Sequence, residues 1–255
     1  MALTRTTQKW ARVYMSGYDM SGYSRSVGPL DWTYDEVPIV ALSDAVKGYL
    51  PGWPEITPTA LNGIFDHTTS GLHDIAKGAG VSWVTSIALG MNAEPALGDS
   101  VYCGRFQQSA YQAQDESGAV VVSVPFVGGD AGNLQAYDIP WGKLIHAKGA
   151  ETAANAGAGV DGLAASAFGG YMVYHVFAGD GTATIKVQKS TTTNTDGAFS
   201  DLSGATSGEI DFSTPTSGII ELSKTASIGR YLRWQLALNS ATTVTFMLAF
   251  VRGTH

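Results

Sequence analysis

Two histidines and two aspartates lie within nine residues of each other and could ligate a metal ion: Asp66, His67, His73 and Asp74. Imidazole nitrogens and carboxylate oxygens are both ligands that Zn²⁺ accepts. However, His67 falls in a predicted turn and His73 in a predicted helix, and no third histidine or cysteine follows at ligand spacing. The pattern therefore favours surface histidines over a metal site.

The other reactive side chains have no partners nearby in the sequence. Cys103 is the single cysteine, and it lacks the neighbouring histidine and acid of a nucleophile, so we predict a buried structural thiol. The carboxylate pairs Asp35-Glu36 and Asp115-Glu116 are adjacent, and neighbours on a strand point to opposite faces. Neither pair can then act as an acid–base dyad. We predict no catalytic residue, no cofactor and no metal, and hence a protein that is not an enzyme.

Gly157, Gly159 and Gly162 have the G-x-G-x-x-G spacing of a dinucleotide-binding turn. That turn requires a strand before it and an amphipathic helix after it. Here the flanking text is rich in alanine and glycine and provides neither. The segment is more typical of a linker, which we place at residues 150–168.

Composition favours an assembling protein over one that binds nucleic acid. The chain has 255 residues, a net charge of −7 and only 15% charged residues. Residues 1–147 carry 14 acidic and 8 basic side chains, and residues 148–255 carry 8 and 7. An acidic surface forgoes the counterion release that drives binding to nucleic acid. A surface that is poor in charge and rich in small polar residues suits repeated protein contacts.

No stretch of the sequence predicts a signal peptide or a membrane helix. The N-terminal residues contain no apolar h-region, and no apolar run approaches the ~18 residues that span a bilayer. We therefore expect synthesis and folding in the cytoplasm.

Alternating and β-branched segments predict an all-β fold with one short helix. Residues 30–37 place Leu30, Trp32 and Tyr34 on one face of a strand, and residues 120–126 are rich in β-branched valine up to Pro125. The helix is predicted within residues 70–80, with Ser70 as its cap. From residue 170 onward, strands and turns recur at the spacing of a sandwich or barrel.

We therefore predict a β-sandwich or barrel over residues 1–149, a linker over 150–168 and a second β-sandwich over 169–255. The segments 230–238 and 242–251 are expected to form a core hairpin, because each carries bulky apolar residues at alternate positions.

The first half of the chain resembles the N-terminal part of phage tail tube, or major tail, proteins. The resemblance covers about residues 13–80 and follows the order of four segments: DMSGY at 19–23, LDWTYDE at 30–36, KGYLPGW at 47–53 and LNGIFD at 61–66. Residues 122–126, VSVPF, are similar to the closing strand of that family. The chain departs from the family at residues 41–44, ALSD, where T-x-F-G-D is common.

The resemblance implies packed β-sheets flanked by a helix, in subunits that form stacked rings, usually of six, around a channel. The implied partners are further copies of the chain, a tape-measure protein and tail terminator or baseplate proteins. Double-stranded DNA would pass through without specific binding, and the protein would reside in the virion tail after assembly in the host cytoplasm. The acidic first half agrees with a channel that does not hold DNA.

Two sets of residues follow as candidates for these roles. Aromatic residues are favoured as interface anchors, so the segment before the LNGIFD strand is predicted to contact a neighbouring subunit through Lys47, Tyr49, Leu50, Pro51 and Trp53. Polar faces of strands are predicted to line the channel, through Asp31, Thr33, Asp35, Gln107 and Ser109.

Two other functions stay open. The chain could be another virion component with a β-sandwich, such as a head decoration protein or a carbohydrate-binding baseplate or adhesin protein. Stacking surfaces for sugars could come from Tyr171, Tyr174, Tyr231 and Trp234, although alternation favours a core position for Trp234. A glycan hydrolase is disfavoured because no suitable carboxylate pair is present.

Overall fold

A computed structural model describes residues 7–39, 46, 48–58, 60–78, 80–129 and 136–254. In these residues the chain is nearly all β with a single short α-helix, which confirms the predicted fold class. The elements are β1 (Ala11–Met15), β2 (Tyr18–Asp19), β3 (Ser24–Val27), β4 (Leu30–Ile39), β5 (Gly48–Pro58), β6 (Ala60–Ile64), α1 (Leu72–Ala76), β7 (Ser82–Leu89), β8 (Ser100–Gln108), β9 (Gln112–Glu116), β10 (Ala119–Gly128), β11 (Trp141–Glu151), β12 (Asn155–Ala156), β13 (Val160–Asp161), β14 (Gly170–Gly179), β15 (Thr182–Ser190), β16 (Ser200–Asp211), β17 (Thr216–Glu221), β18 (Tyr231–Leu238) and β19 (Val244–Arg252).

The strands form three antiparallel sheets. The large sheet has the order β17-β14-β19-β11-β8-β10-β6-β3, with β9 on β10, and with β7, β1 and β2 continuing from β8. A five-stranded sheet has the order β12-β18-β15-β16, with β13 also on β18. The third sheet contains only β4 and β5, which pair with each other.

Three apolar clusters hold the sheets together. One packs α1 and β6 against β8 and β10, around Leu72, Phe106 and Val122. A second lies between the large sheet and the five-stranded sheet and includes Trp234 and Phe246. The third joins strands from both halves of the chain, since it contains residues of β1, β7 and β8 together with residues of β14 and β19. The two halves therefore share a core.

Strand pairing also crosses the boundary predicted at residue 149. β11 pairs with β8 on one side and with β19 on the other, so the large sheet contains strands from residues 11–19 as well as from residues 244–252. Residues 150–168, predicted as a linker, include β12 and β13, which both pair with β18. The division into separate folding units stays a prediction.

The predicted core hairpin of β18 and β19 is wrong. β18 pairs with β15 in the five-stranded sheet, whereas β19 pairs with β11 and β14 in the large sheet. The two strands instead face each other across the sandwich, where Trp234 contacts Phe246 edge to face at 5.8 Å. Each strand turns alternate bulky apolar residues towards the space between the two sheets, and β19 buries its other face as well, so the apolar alternation could not distinguish pairing from face-to-face packing.

The cap of α1 also differs from the prediction. Gly71 is the N-cap residue and makes no side-chain capping bond. Ser70 precedes it with φ 65°, and its backbone N–H donates to the Asp74 carboxylate at 3.1 Å. A carboxylate in the first turn therefore satisfies the amide next to the helix start, where the Ser70 hydroxyl was expected to act.

Gly63 of β6 has no room for a side chain, which gives a test of this packing. A Cβ there would lie 2.5 Å from both the Leu72 side chain and the Tyr23 carbonyl oxygen. We expect Gly63→Ala to lower the free energy of unfolding by about 1–3 kcal/mol, since the backbone must shift. Urea unfolding measures the change. Gly22→Ala is the control, because nothing lies within 4 Å of its Cβ. Equal stabilities of the two variants would contradict the packing.

Candidate functional site: the β4–β5 hairpin

β4 and β5 form a long hairpin that pairs with no other strand described here. Its register runs from Leu30 opposite Pro58 to Ile39 opposite Gly48. At about 3.3 Å per residue, ten residues extend about 30 Å. The extra residue in β5 between Pro54 and Pro51 makes a bulge in the middle of the hairpin.

The base of the hairpin is fixed to the body of the protein. Leu30 and Ile56 pack on the core around α1. The Tyr102 hydroxyl donates to the Asp31 carbonyl oxygen at 2.6 Å, and the Tyr34 hydroxyl donates to the Asp138 carboxylate at 3.0 Å. Burial raises the pKa of Tyr102, so this donor stays protonated. The base is therefore held by packing and by two hydrogen bonds.

Beyond its base the hairpin exposes large apolar side chains. The exposed fractions lie between 38% and 54% for Trp32, Tyr34, Val37, Ile39, Tyr49 and Leu50. We call the last four of these the hairpin tip. Val37, Ile39 and Leu50 share one face of the tip, since Val37 lies opposite Leu50, and Tyr49 lies on the other face. These exposed apolar side chains make the hairpin tip a candidate interaction site.

In the first half of β4, polar residues alternate with Trp32 and Tyr34, whereas Val37 and Ile39 follow further along on the same face as the polar residues. Asp31, Thr33 and Asp35 are all exposed, and Thr33 lies opposite Glu55. Together β4 and β5 contain four carboxylates, those of Asp31, Asp35, Glu36 and Glu55, and no lysine or arginine. The hairpin is thus both apolar and acidic.

The structure places the predicted subunit contacts in part. Tyr49 and Leu50 lie at the hairpin tip, where successive residues of β5 point to opposite faces. Lys47, and the side chains of Pro51 and Trp53, lie outside the described residues. Whether these five residues contact another subunit stays a prediction.

The predicted channel-lining residues form two separate groups, one on β4 and one at the end of β8. Asp31, Thr33 and Asp35 share one face of β4. Gln107 is half-buried in β8, and Ser109 follows that strand and donates its hydroxyl to the Pro125 carbonyl oxygen at 3.2 Å. The structure does not join the two groups into one strand face, and the channel-lining role stays a prediction for all five.

A row of neutral polar residues was missed at the sequence level. The registers of β3, β6, β10 and β9 align Ser26, Asn62, Ser123 and Gln112 across four strands. The Asn62 amide donates to the Ser26 hydroxyl at 3.4 Å. β3 and β9 are the outer strands here, since each pairs with only one neighbour. Ser123 within the run VVVSVPF was the available signal, because it interrupts a β-branched segment.

The two histidines considered as metal ligands belong to an aromatic cluster instead. Phe65 contacts both His67 and His73, and the His73 Nδ1 atom is hydrogen-bonded to the Tyr111 hydroxyl at 2.6 Å. Among the described residues, no group of three or more His, Cys, Asp or Glu side chains could hold a metal ion.

His175, Ser86 and Cys103 are connected to one another and have the residue types of a nucleophilic site, but all three are buried in the core. His175 Nδ1 accepts from the Gly17 N–H at 3.2 Å, so Nε2 carries the proton and donates to the Ser86 hydroxyl at 3.0 Å. Ser86 is in turn 3.4 Å from the Cys103 sulfur. Burial lowers the pKa of His175 to about 3 and raises that of Cys103 to about 12. Both groups stay neutral, which suits a structural link between β14, β7 and β8.

The proposed sugar-stacking residues are mostly inaccessible. Tyr171, Tyr174 and Trp234 are all at most 8% exposed. Tyr231 is half-buried, and the Arg230 guanidinium lies 5.0 Å from its ring centroid. Three of the four residues therefore cannot stack on a sugar in this conformation.

Comparison with known proteins gives a weak structural likeness. No protein-family model and no curated protein matches the chain. The chain is similar to the crystal structure of the SPP1 Dit protein (gp 19.1), described as a paradigm of the hub adsorption apparatus in phages that infect Gram-positive bacteria. The match covers 96% of this chain and 99% of that one, at 15% identity and a TM-score of 0.33. At this TM-score the likeness assigns neither a fold family nor a function.

The described helix is too short to span a membrane.

Proposed function

We propose that this chain is a structural subunit of a phage tail, and that it polymerises into the stacked rings of a tail tube. The observation that carries the proposal is the β4–β5 hairpin, which is anchored at its base and exposes apolar side chains along its length. This hairpin falls within residues 13–80, the segment whose sequence resembles tail tube proteins.

The hairpin supplies a reason for assembly. Fully burying an exposed large apolar side chain contributes about 1.5–3 kcal/mol, and because the side chains of the hairpin tip are about half exposed, each contributes roughly half of that. The hairpin tip has four such side chains, so its burial in a neighbouring copy offsets part of the entropy cost of association. The open edges at β3 and β9 offer a second contact, because pairing between copies would remove two edge strands that otherwise favour aggregation.

The same surfaces suit a channel. In this proposal the rings are hexameric, as the resemblance implies, and they enclose first a tape-measure protein and then double-stranded DNA. Neutral side chains such as the row Ser26, Asn62, Ser123 and Gln112, and carboxylates such as Asp31 and Asp35, would give DNA phosphates no cation to bind. Tail terminator or baseplate proteins would contact the ends of the tube. The role is assembly, with no catalytic step.

Electron microscopy of the purified protein tests the proposal. At increasing concentration we expect hollow rings and stacked tubes in negative stain, and a matching rise in sedimentation coefficient. A protein that remains monomeric at every concentration tested, or that binds glycans as a monomer, would refute it.

Leu50→Asp is expected to prevent assembly while leaving the fold intact. Leu50 is 52% exposed, so a charge there costs the monomer little, but burial in an interface would leave that charge unpaired. We expect the concentration needed for assembly to rise at least about tenfold, which corresponds to ~1.4 kcal/mol.

Met91→Asp is the matched control, because Met91 is 44% exposed and lies in the loop after β7. It should assemble as the unmodified protein does. Sedimentation velocity measures both variants. Normal assembly of Leu50→Asp would exclude the hairpin tip as the contact.

A further inference from the structure

A cavity of about 250 Å³ opens between the large sheet and the five-stranded sheet. Its walls are mainly apolar and come from both sheets, with Trp141, Ile145 and Phe250 on one side and Val160 and Leu232 on the other. A cavity of ~150 Å³ in a protein core is enough to take a benzene molecule. This cavity can therefore hold a large apolar side chain.

The charged residues that line this cavity are both basic. They are Lys143 and Arg252, and none of the described residues that line it is acidic. The Lys143 ammonium donates to the Asp161 carbonyl oxygen at 2.8 Å. The Arg252 guanidinium donates to the carbonyl oxygens of Gly229 and Arg230, at 2.7 and 2.9 Å. These contacts are to neutral acceptors, so they leave both positive charges in place.

The Asp161 carboxylate acts electrostatically on both Lys143 and Arg252, so it offsets part of their positive charge. Asp161 accepts two hydrogen bonds from Arg230, at 2.9 and 2.7 Å. Asp99, next to the lining residue Ser100, accepts from the Ala96 N–H at 2.8 Å. The cavity is thus an apolar recess with a positive wall, in a protein whose net charge is −7.

We propose that this cavity receives the hairpin tip of a second copy of the chain. The inference rests on the proposed function, because it names the surface that the assembling hairpin binds. The two surfaces are complementary. The hairpin tip exposes apolar side chains next to the Glu36 carboxylate, and the cavity provides apolar walls beside Lys143 and Arg252.

A subunit cannot fill its own cavity in this way. The base of its hairpin lies close to the cavity, because the Tyr102 ring contacts both sides: its hydroxyl binds the Asp31 carbonyl oxygen, and its ring lies 5.1 Å from that of Trp141. From this base the paired strands extend for about ten residues, so the hairpin tip lies ~30 Å from the base. Each copy therefore gives one hairpin and receives another, a head-to-tail contact that builds rings or filaments.

Disulfide trapping tests the contact directly. Leu50→Cys combined with Ser100→Cys places one thiol on the hairpin tip and one at the cavity wall. The native Cys103 is fully buried and does not compete. Under mild oxidation we expect covalent dimers and longer ladders on a non-reducing gel, at about ten times the yield of the control.

The control pairs Leu50→Cys with Ser203→Cys, which is an exposed strand serine on β16. If tubes form in the microscope but the two pairs crosslink equally, the proposed docking site is wrong while the proposed function stands. If no assembly forms at all, the proposed docking site and the proposed function are both wrong.

A charge exchange gives an independent test. Lys143→Glu and Glu36→Lys should each raise the concentration needed for assembly about tenfold, and the double variant should recover most of that loss. Thermal melting of the dilute monomers checks that each variant is folded. Independent, additive losses would overturn the proposal. Octanoate provides a further check on the uncrosslinked monomer. If octanoate stabilised the monomer and this effect required Lys143, the proposal would also be overturned, since the occupant of the cavity would then be a small carboxylate.

Discussion

At pH 4 the protein is expected to be several kcal/mol less stable than at pH 7, largely because His175 is buried without charge. Its pKa is lowered from 6.5 to about 3 by desolvation. The unfolded chain therefore binds a proton between these values that the folded protein does not bind. The contribution of His175 to the free energy of unfolding is fully present above about pH 6.5. It falls as the pH decreases towards 3, by about 1.4 kcal/mol for each pH unit.

The arrangement around His175 explains why the proton cannot enter. Its Nδ1 atom already accepts from the Gly17 N–H, so protonation at Nδ1 would break that bond and place a charge in a fully buried site. His146 acts in the same direction, because desolvation also lowers its pKa, although its contact with Glu151 opposes this. Carboxylates such as Asp161, whose pKa is lowered to about 2 by Arg230, add to the loss only at lower pH.

Urea unfolding between pH 7 and pH 4 measures this dependence. His175→Gln should be less stable than the unmodified protein at pH 7 but should lose less stability on acidification. His67→Gln is the control, because His67 is exposed, and it should keep the full dependence. An unchanged pH slope in His175→Gln would show that His175 is protonated in the folded state.

Phe246→Ala is expected to reduce the free energy of unfolding by about 3–5 kcal/mol, a large part of the stability of a typical domain. Phe246 is fully buried on β19. Its ring is stacked on His146 at 4.1 Å and meets Trp234 of the five-stranded sheet edge to face. The alanine would leave a cavity where the two sheets meet.

Phe168→Ala provides the matched control, because Phe168 is 47% exposed. That change should cost less than about 1 kcal/mol. Chemical denaturation at pH 7 compares the two. A small effect of Phe246→Ala would mean that the sheets do not depend on this contact.

The fold class could be predicted because strand periodicity is a local property. The alternation in β4 and the β-branched run in β10 both correspond to strands, although only β10 buries its apolar side chains and β4 is exposed along almost its whole length. The partners of each strand could not be predicted in the same way. β18 and β19 are consecutive and equally apolar, yet they belong to different sheets, because their pairing depends on β11, β14 and β15, which lie far away in sequence.

The candidate site shows the same limit. Tyr49 and Leu50 were predicted as subunit contacts from the resemblance and from the preference for aromatic anchors, and both side chains are exposed. The cavity could not be found from sequence, since its walls come from residues between Ser100 and Arg252 that only the folded chain brings together. The proposed cap at Ser70 failed for a local reason, because the Asp74 carboxylate binds the Ser70 amide.

The position of β19 between β11 and β14 has a consequence for synthesis on the ribosome. Residues 244–252 form an interior strand, so the sheet to which β11 and β14 belong cannot close until those residues have left the exit tunnel. Until then β11 and β14 each present an unpaired edge that is open to other chains. We expect nascent chains that stop before residue 244 to be sensitive to protease and unable to join an assembly. Because β19 is the last strand to be synthesised, only chains that include it would be able to assemble.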